Sequence, residues 1–211
     1  SPYTLSLHDA LPICIAVGLI VGMISNGEIA DTIAIIFTML VFGSIGFLDD
    51  FEKIAKKNNL GLTAKQKILL QVLLSLGIGL YMIFGGNGTD VLIPFANLYI
   101  NFGLLFMPFV VLTEVAMSNG VNLSDGLDGL ASTVTLVVAI LFATVGYTHD
   151  VYILMVSGLA IAGSLIGFLV FNKYPAKIFM GDTGSMALGG VLSAIAIVSK
   201  TEFLQIGRAH V

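Results

Sequence analysis

Apolar runs of bilayer length alternate along this chain with short polar stretches, and that alternation sets the first expectation. Complete runs cover residues 32–48, 68–84, 102–117, 130–145, 151–171 and 186–198, and a shorter apolar remnant covers 14–23. A hydrocarbon core about 30 Å thick is crossed by roughly 20 helical residues. Lipid offers no hydrogen bonds, so each crossing backbone must satisfy itself as a helix. The pattern predicts an all-α polytopic bundle of six complete spans and one partial span. Between the second and third runs, GGNGTDVLIPFANLY (85–99) is rich in turn residues and β-formers and predicts a small hairpin near 86–100. Thr63 stands just ahead of the second run, where it can cap the helix.

The polar stretches are not equivalent. SNGVNLSDGLDGLA (118–131) is the most polar part of the chain, with carboxylates Asp125 and Asp128, carboxamides Asn119 and Asn122, and three glycines. If helical, it would align 119, 122, 125 and 128 roughly along one face. The first run ends at Asp49 and Asp50, followed by the basic loop FEKIAKKNNLGLTAKQ (51–66). NKYPAKIFMGDTGS (172–185) puts Asp182 at the start of the sixth run, beside helix N-terminal amides that can face a phosphate. Lysines orient the chain. Lys53, Lys56, Lys57, Lys65 and Lys67 flank the loop after the first run, and Lys173 and Lys177 lie after the fifth, whereas the loops at 25–31, 85–101 and 147–150 have none. The positive-inside rule then places the loops after spans one, three and five in the cytoplasm. These loops are two spans apart, so parity alone puts them on one side. Asp49, Asp50, Asp125, Asp128 and Asp182 are expected to meet on one membrane face beside the lysines.

Composition narrows the class. The chain is 57% hydrophobic and only 10% charged, with a mean hydropathy of +1.01, whereas about a quarter of a soluble domain is charged. A net charge of -4 gives no hint of nucleic-acid binding. The single cysteine, Cys14, excludes an internal disulfide framework and a cysteine-based zinc site. His8, His149 and His210 are too scattered to form a metal cluster. Carboxylates at a membrane edge are costly unless solvated, paired or metal-bound. Hard oxygen ligands suit Mg²⁺, and with nearby lysines they have the parts for phosphoryl transfer. Plainer readings stand beside this one. Asp49 and Asp50 can be solvated charges ending a helix, although the macrodipole disfavours acids there. Lys53 and Lys56 read as topology signals alone. Glu114, inside the third run, can be a functional acid or a paired or protonated structural one. Phe179 and Met180 are of types that more often pack than bind, and two glycosylation-like triplets (87–89, 122–124) are too short to carry weight.

At GFLDDFEKIAKKNNLGLTAKQK (46–67), SNGVNLSDGLDGLA (118–131) and FNKYPAKIFMGDTGSMALGG (171–190), the chain resembles the polyprenyl-phosphate N-acetylhexosamine-1-phosphate transferases. Within them it is most similar to the phospho-N-acetylmuramoyl-pentapeptide transferase branch, favoured by the segment after the first run and by GDTGS. The resemblance implies a Mg²⁺-dependent enzyme of the bacterial cytoplasmic membrane with its active site facing the cytoplasm. Undecaprenyl phosphate would attack UDP-MurNAc-pentapeptide to give lipid I and UMP for peptidoglycan synthesis. It implies catalytic roles for Asp49, Asp50, Asp125 and Asp182, with Asp49 as a base toward the lipid phosphate. Asp182 and Asp125 would hold the metal. Lys57, Lys65, Asn119, Asn122, Asp128 and Phe179 would bind substrate. A homodimer is left open.

Two rivals are kept. A GlcNAc-1-phosphate transferase would prefer UDP-GlcNAc, and a cation transporter would show an internal repeat and acids facing one another at mid-bilayer. The chain shows no such repeat. Residues 1–13 and 206–211 resemble translated sequencing-adapter read-through, so His8, Asp9, Arg208 and His210 are expected to carry no function. Residues 14–205 are then expected to be one membrane domain truncated at both ends. The family's histidine-rich C-terminal motif and its first span are not matched, and Asn-Gly-Val-Asn replaces its usual Asn-Ala-Val-Asn. The polypeptide is therefore expected to be inactive alone.

Overall fold

A computed structural model describes residues 10–26, 29–56, 61–85, 88–93, 98–148 and 150–209. Its elements are α1 (Ala10–Asn26), α2 (Ile29–Ala55), α3 (Ala64–Phe84), β1 (Asp90–Ile93), β2 (Leu98–Asn101), α4 (Phe106–Ser124), α5 (Leu130–Thr148), α6 (Tyr152–Asn172) and α7 (Gly181–Ala209). A 3₁₀ turn, Gly103–Leu105, leads into α4. Six stretches are long and apolar enough to cross a membrane: α2, α3, the 3₁₀ turn with α4, α5, α6 and Gly181–Ser199 of α7. The apolar part of α1, Ala10–Gly22, is shorter. The predicted all-α bundle of six spans and a partial one is what forms. The helix α1 starts at Ala10, ahead of the boundary expected at residue 14, and Leu11 is buried in the core.

Local chemistry explains the element ends. Thr63 is extended (φ -66°, ψ 151°) and its hydroxyl accepts the Gln66 N–H at 3.3 Å, while the Gln66 side chain accepts the Thr63 N–H at 2.9 Å. This capping box satisfies two of the amides a helix start leaves open. Thr63→Ala is expected to remove about 1 kcal/mol of stability, read as a lower melting midpoint in detergent that Thr63→Ser restores. The hairpin is antiparallel, with Asp90 opposite Asn101 and Ile93 opposite Leu98. Asn101 Nδ2 donates to Asp90 Oδ1 at 2.8 Å across the open end of the pair.

Two boundaries differ from the sequence pattern. The helix α2 does not stop at Asp49 and Asp50 but continues to Ala55. The helix α4 takes in Asn119 and Asn122 and stops at Ser124, with Asp125 as its C-cap and Gly129 at φ +73° in the turn that follows. Residues 119, 122, 125 and 128 therefore do not form one helical stripe.

The helix α7 is the centre of the bundle. Its spanning window is 78% buried, against 22–44% for the other five. It packs on α2 and α4, while α6 packs on α5 and α1 and α3 packs on α4. In lipid, helices associate through close packing of small residues, and glycines set close approaches of α7 to both α2 and α4. A Cβ on Gly46 of α2 would collide with the Asp182 carbonyl and lie 2.7 Å from Thr183 Cα. A Cβ on Gly189 of α7 would lie 2.8 Å from the Met117 carbonyl of α4. Gly46 lies one turn before Asp50, so the contact that seats α2 on α7 also brings their aspartates together.

Candidate active site

The site forms where the ends of α2, α4 and α7 meet the start of α3. Carboxylate oxygens of Asp49, Asp50 and Asp182 all lie within 4.8 Å of one another. Two lysines hold them. Lys53 Nζ stands 2.6 Å from Asp49 Oδ2, 3.3 Å from Asp50 Oδ1 and 2.9 Å from Asp182 Oδ2. Lys67 Nζ stands 3.0 Å from Asp49 Oδ2 and 2.9 Å from Asp182 Oδ2. From α4, Asn122 Nδ2 donates to Asp182 Oδ1 and to Ser185 Oγ, both at 2.8 Å. Ser185 is free to accept because its own proton goes to the Gly181 carbonyl at 2.8 Å. Asp50 Oδ2 accepts from the Thr183 N–H and hydroxyl, both at 3.2 Å, so it lies over the positive end of the α7 dipole.

Asp49 is the innermost acid, 1% exposed. The Leu62 N–H donates to its Oδ1 at 2.7 Å, and Gly61 passes so close that a Cβ there would strike the carboxyl group. Buried charge persists only when paired and hydrogen-bonded, and Asp49 Oδ2 is paired with both ammoniums, at 2.6 and 3.0 Å. With Asp125 ionised, four carboxylates face two ammoniums and leave two negative charges. The donor set and the charge both fit a divalent cation.

Asp125 lies at the rim, after the last turn of α4. Burial pushes its carboxyl up to about 6; the Gly181 amide opposes this, and the charges of Asp182 and Asp50 add to it. A carboxyl raised in the folded state destabilises that state when ionised, fully above about pH 6 and not at all below its unfolded value near 4. Asp125→Asn is therefore expected to stabilise the metal-free protein at pH 7.5, by about 1–2 kcal/mol after allowance for its partial exposure. Thermal unfolding in EDTA should show the gain at pH 7.5 and its loss at pH 4.

The structure sorts the remaining candidates. Asn119 turns away from the carboxylates: its Nδ2 donates to Gln71 Oε1 at 2.7 Å and to the Val115 carbonyl at 2.8 Å. Gln71 Nε2 returns a bond to Asn119 Oδ1 at 3.4 Å, so Asn119 clasps α4 to α3. Asp128 accepts the Ala176 N–H at 2.9 Å, tying the α4–α5 turn to the loop before α7. Phe179 is 47% exposed beside the buried Met180, and Lys65 is exposed. Lys57 lies outside the described residues, as do His8, Asp9, His149 and His210. The metal pair expected was Asp182 with Asp125, whereas the trio of metal-binding size is Asp49, Asp50 and Asp182. Lys53, read above as a topology signal, is instead an ion-pair partner of three aspartates. Lys67, Thr183 and Ser185 were not singled out either. The signal for Lys53 was its spacing of three and four residues from Asp50 and Asp49, visible once α2 is known to continue.

Comparison with known proteins identifies the family. Residues 32–200 match the model of the family described as Glycosyl transferase family 4. A phospho-N-acetylmuramoyl-pentapeptide-transferase of Clostridium beijerinckii is 49% identical over 174 residues, covering 82% of this chain and 53% of the relative. Proteins of the same name from Halalkalibacterium halodurans and Listeria innocua are each 43% identical, covering 83% and 88% of this chain and 54% and 57% of the relatives. The chain spans about half the length of the curated relatives it matches. These names bear out the resemblance to the muramoyl-pentapeptide branch and do not favour the GlcNAc rival. Because the match runs through every segment that contributes an aspartate to the site, the chain belongs to glycosyl transferase family 4.

Proposed function

We propose that this chain carries the reaction centre of a multi-pass bacterial membrane enzyme that transfers phospho-MurNAc-pentapeptide from UDP-MurNAc-pentapeptide to undecaprenyl phosphate, giving lipid I and UMP. The observation that carries the reading is the convergence of Asp49, Asp50 and Asp182 on two lysines at one end of the bundle. In the reaction, a lipid-phosphate oxygen attacks the phosphorus next to the sugar. The bond from that phosphorus to the UMP oxygen breaks, and UMP leaves with the electron pair.

Asp49, Asp50 and Asp182 would hold Mg²⁺, with Asp125 at the rim. Bound there, the ion would neutralise charge on the phosphate oxygens. Asn122 fixes the Asp182 carboxylate. Lys53 and Lys67 stand ready to exchange carboxylate partners for phosphate ones. Asp49 is buried and engaged by both lysines and Leu62, which disfavours the role of base toward the lipid phosphate. Asp50, with a third of its side chain exposed, is better placed to meet that phosphate and accept its proton. Lys57, Lys65, Asp128 and Phe179 are assigned to the nucleotide side, with Asn119 supporting them from behind. A water-soluble nucleotide and lysine-rich loops both support a cytoplasmic position for this face.

The test is a chimera in which residues 32–200 replace the matched stretch of the Clostridium beijerinckii relative. With Mg²⁺ and undecaprenyl phosphate, it should release UMP and form lipid I from UDP-MurNAc-pentapeptide and give no product from UDP-GlcNAc. Preference for UDP-GlcNAc would overturn the substrate, and release of UMP at the same rate in EDTA would overturn the metal.

A further inference from the structure

We infer that Gln71 of α3 is a positioning residue: its carboxamide pair with Asn119 of α4 sets the register of the two helices and so holds Lys67 and Asn122 on Asp182. In ILLQVLLSLGIGLYMIF (68–84), Gln71 is the one carboxamide in an apolar run, and it is fully buried. An amide taken out of water is costly unless its atoms are bonded. Those of Gln71 are bonded to the neighbouring helix, which is how polar side chains join spans in a membrane.

The donors and acceptors fix one arrangement of the pair. The Val115 carbonyl can only accept, so the Asn119 atom 2.8 Å from it is the nitrogen. The other proton of that nitrogen goes to Gln71 Oε1 at 2.7 Å. Gln71 Nε2 then faces Asn119 Oδ1, at 3.4 Å. The Ser75 hydroxyl donates to the Gln71 backbone carbonyl at 2.8 Å and leaves the carboxamide to Asn119.

The pair closes a circuit that includes the site. Lys67 stands four residues before Gln71 on α3, and Asn122 three residues after Asn119 on α4, so each shares a helix face with its neighbour. Lys67 Nζ meets Asp182 Oδ2 at 2.9 Å, and Asn122 Nδ2 meets Asp182 Oδ1 at 2.8 Å. The sides of the circuit are thus single helical turns or single side-chain contacts. They are not equally stiff. The four-carbon stem of Lys67 reaches many geometries, whereas the shorter carboxamide side chains meet at one offset of α3 against α4. The register is set at the amide pair and felt at Asp182, where it keeps Lys67 on the carboxylates rather than in solvent.

The test measures how fast Lys67 is acetylated by a water-soluble active ester in the full 211-residue chain, in detergent with EDTA, with the sites resolved by mass spectrometry. Gln71→Leu should speed labelling of Lys67 several-fold and leave the exposed Lys65 unchanged. The exchange Gln71→Asn with Asn119→Gln keeps the combined reach of the two side chains and should restore slow labelling. Gly146→Ala controls for mere loss of stability: its Cβ would collide with the Met155 backbone at the opposite end of α5, so it should lower the melting midpoint without exposing Lys67. Equal labelling of wild type and folded Gln71→Leu would overturn the positioning role, as would faster labelling in Gly146→Ala to the same degree. If Gln71→Leu does not fold, Gln71→Asn alone, one methylene too short for Asn119, is read the same way. The effect on cation binding rests on the function proposed above: Mn²⁺ affinity should fall about three- to tenfold in Gln71→Leu, the scale of one interhelical hydrogen bond. A wild-type chain that binds no Mn²⁺ would overturn the metal reading, while the metal-free labelling decides the role of Gln71 by itself.

Discussion

In the chimera carrying residues 32–200, Asp182→Asn is expected to lower the maximal rate of UMP release by about 10²–10³-fold, a loss that more substrate does not restore. Asp182 is the hub of the site, contacted by Lys53, Lys67 and Asn122 from three helices. Asparagine keeps its size but removes the charge and can turn an amide toward the lysines. Both ammoniums would then fall back on Asp49, and the carboxylate trio would lose one of its three members. Asp128→Asn is the comparison, because that carboxylate accepts a loop amide and touches neither lysine. Its effect should be at least tenfold smaller, on the scale of one lost loop hydrogen bond. Initial rates at saturating substrate and Mg²⁺ measure both, and equal losses in the two variants would remove Asp182 from its central place.

Gly46→Ala is expected to destabilise the bundle by about 2–3 kcal/mol, toward the upper end for overpacking. The added methyl would collide with the Asp182 backbone, which cannot rotate away as a side chain would. Relief requires α2 to move off α7, and the same movement parts Asp49 and Asp50 from Asp182. Stability and cation binding should therefore fall together. Gly163→Ala is the counterpart, on an open face of α6 where an added Cβ meets nothing within 4 Å. It should be neutral or slightly stabilising, because alanine is the better helix former. Reversible unfolding in mixed detergent measures both, and a Gly46→Ala protein as stable as Gly163→Ala would mean that α2 and α7 are not seated by this contact.

Much of the architecture was legible because hydropathy is local. Six spans, the hairpin, the Thr63 cap and the start of the sixth span at Asp182 follow from windows of a few residues. Parity of the spans brought Asp49, Asp50, Asp125 and Asp182 to one end. The partners were not legible. Lys53 meets Asp182 across 129 residues and Lys67 meets it across 115, and such pairs leave no mark on a local pattern. The extension of α2 to Ala55 was hidden because charged residues interrupt its apolar run just where tertiary ion pairs take over. Asn119 was assigned with Asn122 because both belong to one polar stretch, but three residues along a helix were enough to turn one toward Gln71 and the other toward Asp182. Glu114 stood out as an acid in an apolar span, and the structure buries both of its carboxyl oxygens without a hydrogen-bond partner.

The proposed function turns on one divalent cation held among Asp49, Asp50 and Asp182. Titration of the purified chain with Mn²⁺, followed by electron paramagnetic resonance, tests it most directly. One bound Mn²⁺ that Mg²⁺ displaces, lost in Asp182→Asn and kept in Asp128→Asn, is the predicted result. Binding that persists unchanged in Asp182→Asn would contradict it.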